Sequence, residues 1–126
     1  MIYLDSSVML AYLMTEDRTP AAALWRERLI SSRLLSYEIW NRIHARRLTR
    51  VDDARALLDR VSMLDLTPST LARALDPFPI TVGTLDGLHL ATIEFLRGEG
   101  ETIELASYDR SLVACAQALG VAIYPL

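Results

Sequence analysis

The opening segment, Met1 to Met14 (MIYLDSSVMLAYLM), constrains this chain more than any other. Four residues suited to a buried strand, Met1 to Leu4, run directly into Asp5, then Ser6 and Ser7. An apolar stretch of about two helical turns follows. A strand apolar on both faces belongs inside a parallel sheet that is covered above and below. Val8 to Met14 is apolar nearly all round, which calls for deep burial or burial against another chain. Asp5 then falls at the C-terminal end of the first strand, where α/β sheets keep their ligand crevice. Ser6 or Ser7 is placed to cap the helix, since a hydroxyl there accepts from the free N–H groups of the first turn.

The same plan repeats along the chain. Thr15 to Pro20 reads as a polar connection, with Pro20 opening a helix. Ala21 to Ile30 carries Ala22, Trp25 and Leu29 at helical spacing. Leu34 to Ser36 is expected to be a short strand, and Tyr37 to Leu48 the next helix. A helix is expected from Asp52 to about Val61, because Ala54, Leu57, Leu58 and Val61 recur at helical intervals. Ser62 to Leu66 reads as a strand. Thr67 and Pro68 start a helix that stops before Pro77 and Pro79. Pro77 to Gly83 reads as a loop, and Thr84 to Arg97 as a helix ended by Gly98 and Gly100. Ile103 to Ser107 is a strand, Ser111 to Leu119 a helix closed by Gly120, and Val121 to Tyr124 a last strand. Such alternation predicts one α/β domain spanning residues 1–126, with a central parallel β-sheet flanked by helices on both faces.

Composition narrows the function. All 13 basic residues are arginine, so mechanisms that need a lysine, the P-loop among them, are excluded. A net charge of −3 argues against a generic nucleic-acid coat. No apolar run is long enough for a membrane span, and no basic region precedes the apolar start as in a signal peptide. The single cysteine, Cys115, fits a reducing, cytoplasmic setting. Hydrophobic residues make up 52% of the chain and mean hydropathy is +0.22, which suits a buried parallel sheet or an additional protein interface.

Four of the sixteen acidic residues stand apart from solvated company. Asp5 ends the first strand, and Glu38 lies in the first helical turn after the expected Leu34–Ser36 strand. Asp86 opens the Thr84 helix within TLDGLHLA, and Asp109 follows the Ile103–Ser107 strand within ASYDRSL. Each alone reads as a helix-cap or first-turn acid. Together, carboxylates converging without a counter-charge would repel, and some would stay protonated. A hard divalent cation, Mg²⁺ or Mn²⁺, resolves this with oxygen ligands and retained waters. Zinc does not suit the set, because Cys115, His44 and His89 form no ligand cluster. A cation held there polarises a phosphoryl oxygen and favours in-line attack by water on a phosphodiester.

DSSV after an apolar strand, SYE opening a helix, LDGLHLAT, and SYDRSL before a closing Gly and strand resemble a PIN domain over nearly the whole chain. Size and spacing are similar to the VapC-type toxins of toxin–antitoxin pairs. The resemblance implies a Mg²⁺- or Mn²⁺-dependent ribonuclease with Asp5, Glu38, Asp86 and Asp109 as its acidic quartet. It also implies an RNA substrate, a cognate antitoxin and a homodimer. Ser107 fills the place of a hydroxyl residue two positions before the last acid of the family.

Around this quartet several features have two readings. Ser6 and Ser107 either orient carboxylates or waters, or serve as ordinary caps. His89, one turn after Asp86, reads as a buried, hydrogen-bonded structural histidine. Glu38, Arg42, Arg46 and Arg50 step by four, giving either an arginine track for RNA phosphates or a solvated face with a Glu38–Arg42 pair. With the four acids assigned to a metal, 13 basic residues face 12 acidic ones, so the overall charge does not forbid RNA. Trp25 and Trp40 either line a groove for an antitoxin helix or pack in the core. Two rival functions remain: a catalytically inactive PIN-like binding module, and a phospho-acceptor receiver, which the absence of lysine disfavours.

Overall fold

The computed structural model describes residues 1–14, 18–46 and 49–126. Five strands form one sheet: β1 (Ile2–Leu4), β2 (Leu29–Ser32), β3 (Val61–Leu64), β4 (Glu104–Ala106) and β5 (Ala122–Ile123). Their order is β3-β2-β1-β4-β5, and every pairing is parallel. The helices are α1 (Ser6–Leu13), α2 (Leu34–Ala45), α3 (Val51–Leu58), α4 (Pro68–Ala74), α5 (Thr84–Gly98) and α6 (Arg110–Ala118), with a short 3₁₀ helix at Ala22–Arg26.

Strand alternation divides the core. Ile2 and Leu4 of β1, with Leu29, Val61 and Ala106, face a cluster built with α1, α2 and α3. Tyr3, Ile30 and Leu105 point the other way, into a cluster with α5 and α6. Both faces are thereby covered, which gives the short strands their continuous apolar runs. Gly100 and Gly120, at φ 89° and 78°, follow the ends of α5 and α6 in the left-handed region that glycine tolerates.

Two segments depart from the sequence expectations, and Val61, expected to close the helix from Asp52, instead opens β3. The expected Ala21–Ile30 helix exists only as the Ala22–Arg26 turn, after which the chain extends into β2. Leu24 and Trp25 are both buried, and Leu29 and Ile30 then bury opposite faces, a period of two that the pairing Ile2↔Leu29 enforces. The expected Leu34–Ser36 strand is the first turn of α2. Ser32 Oγ accepts from Leu34 N at 3.2 Å and Arg33 N donates to Leu64 O, which turns the chain into a helix at once. Glu38 therefore stands in the second turn of α2, not in its first. Parts of the Thr15–Pro20 connection and the end of the expected Tyr37–Leu48 helix lie outside the described residues; within them α2 ends at Ala45. Among the described residues no helix is long and apolar enough to cross a membrane.

Trp25 is buried with the core reading, edge-on to Tyr12, so it lines no open groove. Trp40 is half-buried, stacked on His44. An apolar groove of about 600 Å³ lies elsewhere, between α4 and α5, lined by Leu71, Leu75, Phe78, Val82 and Leu88, with Leu75 87% exposed.

Candidate active site

The chain winds from β1 outward to β3, then crosses back to β4 and β5, so the sheet reverses its direction of growth between β1 and β4. Loops at the C-terminal ends of these two strands diverge and leave a crevice. The register places Leu4 beside Ala106, and Asp5 N donates to Ala106 O at 3.1 Å. The next residues, Asp5 and Ser107, are thus neighbours by construction.

Asp5 is only 4% exposed and its Oδ2 is tightly held. It accepts from Ser7 Oγ at 2.6 Å, Ser107 Oγ at 2.8 Å and Ser7 N at 3.4 Å. Asp5 itself is the N-cap of α1, a role that the sequence assigned to Ser6 or Ser7. Ser7 Oγ also accepts from Tyr108 N at 2.9 Å, and Ser107 Oγ accepts from Asp109 N at 2.9 Å. Asp109 caps α6, its Oδ1 accepting from Ser111 N and Leu112 N at 2.9 and 3.1 Å. One oxygen of each aspartate is consumed by these bonds; Asp5 Oδ1 and Asp109 Oδ2 accept none among the described residues.

Glu38 is restrained from both sides. Its Oε1 lies 2.5 Å from His89 Nε2, and Oε2 accepts from Ser6 Oγ at 3.1 Å. His89 is completely buried; its Nδ1 lies 2.7 Å from the Tyr3 hydroxyl, which also accepts from Ser32 N at 3.1 Å. Burial alone would lower the imidazole pKa, but Tyr3 and Glu38, by charge and hydrogen bond, more than reverse this and raise it. The histidine is structural in the sense expected, and it also fixes one of the four acids.

Asp86, in the first turn of α5, differs from the rest. It is half-buried and has no hydrogen-bond or ion-pair partner among the described residues. Desolvation first, then the charges of Asp109, Asp5 and Glu38, push its pKa from 3.8 up to about 6, against a smaller lowering by His89. The charges of the other three acids thus all bear on Asp86.

The chemistry of this donor set suits a hard divalent cation: Asp86 feels the charge of the other three carboxylates, three of the four acids keep uncommitted oxygens, and Asp86 is destabilised in its charged form. Among the described residues no group of three or more Asp, Glu, His or Cys side chains is drawn close enough to hold a metal ion by itself. Mg²⁺ does not need one, because it keeps several waters and takes few protein carboxylates directly.

Other candidates separate. Ser6 and Ser107 both hold carboxylates, Glu38 and Asp5 respectively. Arg42 lies exposed on α2 and Arg46 is its C-cap. Arg50 has left that stripe: its guanidinium donates to Leu13 O at 2.7 Å and pairs with Asp53, clamping the end of α1 to the start of α3. Sequence reasoning missed Ser7 as the hub of the Asp5 wall and Tyr3 as the support of His89. A tyrosine within a buried strand was the available signal for the latter, since its hydroxyl needs a partner.

A family model for the PIN domain matches residues 2–114. The chain is 30% identical over 131 aligned residues to a protein named Ribonuclease VapC35 from Mycobacterium tuberculosis strain CDC 1551 / Oshkosh, covering 98% of this chain and 95% of that protein. Ribonuclease VapC35 of strain ATCC 25618 / H37Rv is similar to the same extent.

Proposed function

The chain belongs to the PIN-domain family, and from that premise we propose that it is a divalent-metal-dependent endoribonuclease, the VapC-type toxin of a type II toxin–antitoxin pair. The observation that carries this reading is that the charges of Asp5, Asp109 and Glu38 all bear on Asp86, with Asp5 and Asp109 at the reversal point of the sheet. The similarity to Ribonuclease VapC35 along nearly the full length supports RNA as the substrate. A cognate antitoxin, homodimerisation and a cytoplasmic setting belong to the same reading.

Asp5, Asp86 and Asp109 would hold Mg²⁺ or Mn²⁺, with Glu38 beside them as a further ligand or water-orienting group. The ion supplies Lewis-acid polarisation of the phosphodiester and a nucleophile at neutral pH. The chain's own contribution is preorganisation. Ser7 and Ser107 fix Asp5, so its remaining oxygen is oriented before substrate arrives. His89 and Ser6 fix Glu38, whose oxygens each keep a further lone pair to align the attacking water.

Incubation of total cellular RNA with the purified protein tests this, with Mg²⁺, with Mn²⁺ and with excess EDTA. Cleavage that needs metal and disappears in Asp5→Asn and Glu38→Gln is the expected result. Metal-independent cleavage would overturn the metal-dependent reading, and full activity in Glu38→Gln would remove Glu38 from the reaction.

A further inference from the structure

Arg18 stands at the same edge of the sheet and has no part in the carboxylate network. Its guanidinium carbon lies 4.8 Å from the centroid of the Tyr108 ring. That ring is a fixed platform, half-buried against the cluster of α1, α2 and α3. The Tyr108 N–H is held by Ser7 Oγ, the same hydroxyl that holds Asp5, and its chain neighbours are Ser107 and Asp109. Arg18 is exposed and makes no ion pair or hydrogen bond with any described residue. Arg33, Arg50 and Arg73 are committed to carboxylates, and Arg97 to backbone carbonyls. Arg55 also stacks on an aromatic ring, but on Trp40 of α2, which is not part of the carboxylate network.

A guanidinium stacked on a ring is oriented through its face while its in-plane N–H donors stay available. Four converging carboxylates repel a polyanion, so a nucleic-acid strand needs a fixed cation at the rim in addition to any metal within. We propose that Arg18, with Tyr108 as its platform, forms a phosphate-binding subsite that holds the RNA backbone beside the Asp5–Asp109 wall. The subsite rests on the ribonuclease reading. It contacts phosphate, not bases, so it acts on single strands irrespective of sequence.

The test is binding of a short fluorescein-labelled single-stranded RNA of mixed sequence, followed by anisotropy over a series of KCl concentrations. The parent is the full-length Asp86→Asn chain in EDTA, which keeps the RNA intact. Adding Arg18→Gln should weaken binding about tenfold, the worth of one charge-assisted contact. It should also flatten the dependence of log K on log salt by about 0.7, one phosphate contact fewer. Arg18→Lys should keep the slope and recover only part of the affinity, because charge returns without the planar stack. Tyr108→Leu should lower affinity with the charge still present. Unchanged affinity and slope in Arg18→Gln would overturn the subsite. Cleavage of total RNA by the unsubstituted chain is measured alongside. Cleavage together with Arg18-independent binding overturns the subsite alone; Arg18-dependent binding without cleavage keeps the subsite and overturns the ribonuclease reading.

Discussion

The two walls of the crevice are built on different principles. The Asp5–Asp109 wall follows from strand register: Asp5, Ser7, Ser107, Tyr108 and Asp109 are joined by six hydrogen bonds of 2.6 to 3.4 Å, among them Ser7 Oγ to Asp5 and Asp109 N to Ser107. The Asp86 wall stands on the first turn of α5, with no hydrogen-bond or ion-pair partner among the described residues and its pKa pushed up to about 6 by burial and by the other acids. One wall is satisfied within the protein; the other is complete only when a positive charge arrives. Glu38 lies between them, held by His89 and Ser6. The difference teaches that a metal site is legible as a contrast, one set of carboxylates braced and another left destabilised.

Asp86→Asn should break the contrast most sharply. Loss of this carboxylate should lower the cleavage rate by about 10³-fold, comparable to removing a main electrostatic stabiliser. Without divalent cations the same variant should be more stable than the parent. The unfolded chain ionises Asp86 near 3.8 and the folded chain near 6, so the stability associated with the neutral acid is present below 3.8 and lost as pH rises through about 6. Thermal melts in EDTA should show the variant ahead by about 1 kcal/mol above pH 6, after discounting for solvent exposure, and level with the parent below the lower value.

His89→Gln should cost about 3 kcal/mol in denaturant titrations, because the part-buried Glu38 loses the fully buried partner that holds its Oε1. Its raised pKa fixes the sign of the pH effect. The contribution is full below the ordinary histidine value of 6.5 and is lost as pH rises through about 10. A stability gap between parent and variant that widened at alkaline pH would contradict this.

Ser7→Ala and Ser107→Ala should each reduce activity by about 10- to 100-fold with the fold retained, as removal of a group orienting a ligand does. Both hydroxyls serve Asp5 Oδ2, so the double variant should fall short of the product of the single losses. Additive losses in kcat/KM would show that the two act separately.

The smallest effects separate two arginines of the stripe read from the sequence. Arg50→Ala should lower stability by about 1 kcal/mol, with RNA binding unaltered, since its guanidinium is spent on Leu13 O and Asp53. Arg42→Gln should do the reverse, leaving the melt unchanged and flattening the salt dependence of RNA binding by about 0.7.

Much of the fold was legible because each strand is a short apolar run ended by a polar residue, and each helix has its period and its stop. The α4 start at Thr67–Pro68 and the glycines closing α5 and α6 are local signals, and they hold. Residues 21–36 were misread because the spacing of Ala22, Trp25 and Leu29 satisfies a helix, while pairing with β1 and β3 requires extension from Leu29. Local period lost to a long-range ladder. The four acids could be singled out because each sits just past a strand or in the opening turns of a helix beside an apolar element. Their supports could not. Ser7 reaches Tyr108 and Asp5 only through the register of β1 against β4, and Tyr3 meets His89 across residues far apart in the chain. The arginine stripe failed at Arg50 because α2 stops at Ala45.

Mn²⁺ binding, followed by calorimetry on the metal-free protein at neutral pH and again below pH 6, tests the two-wall site most directly. Saturable binding that weakens at the lower pH and is lost in Asp86→Asn is the predicted result. Binding that is absent at both pH values, or that survives Asp86→Asn undiminished, would contradict it.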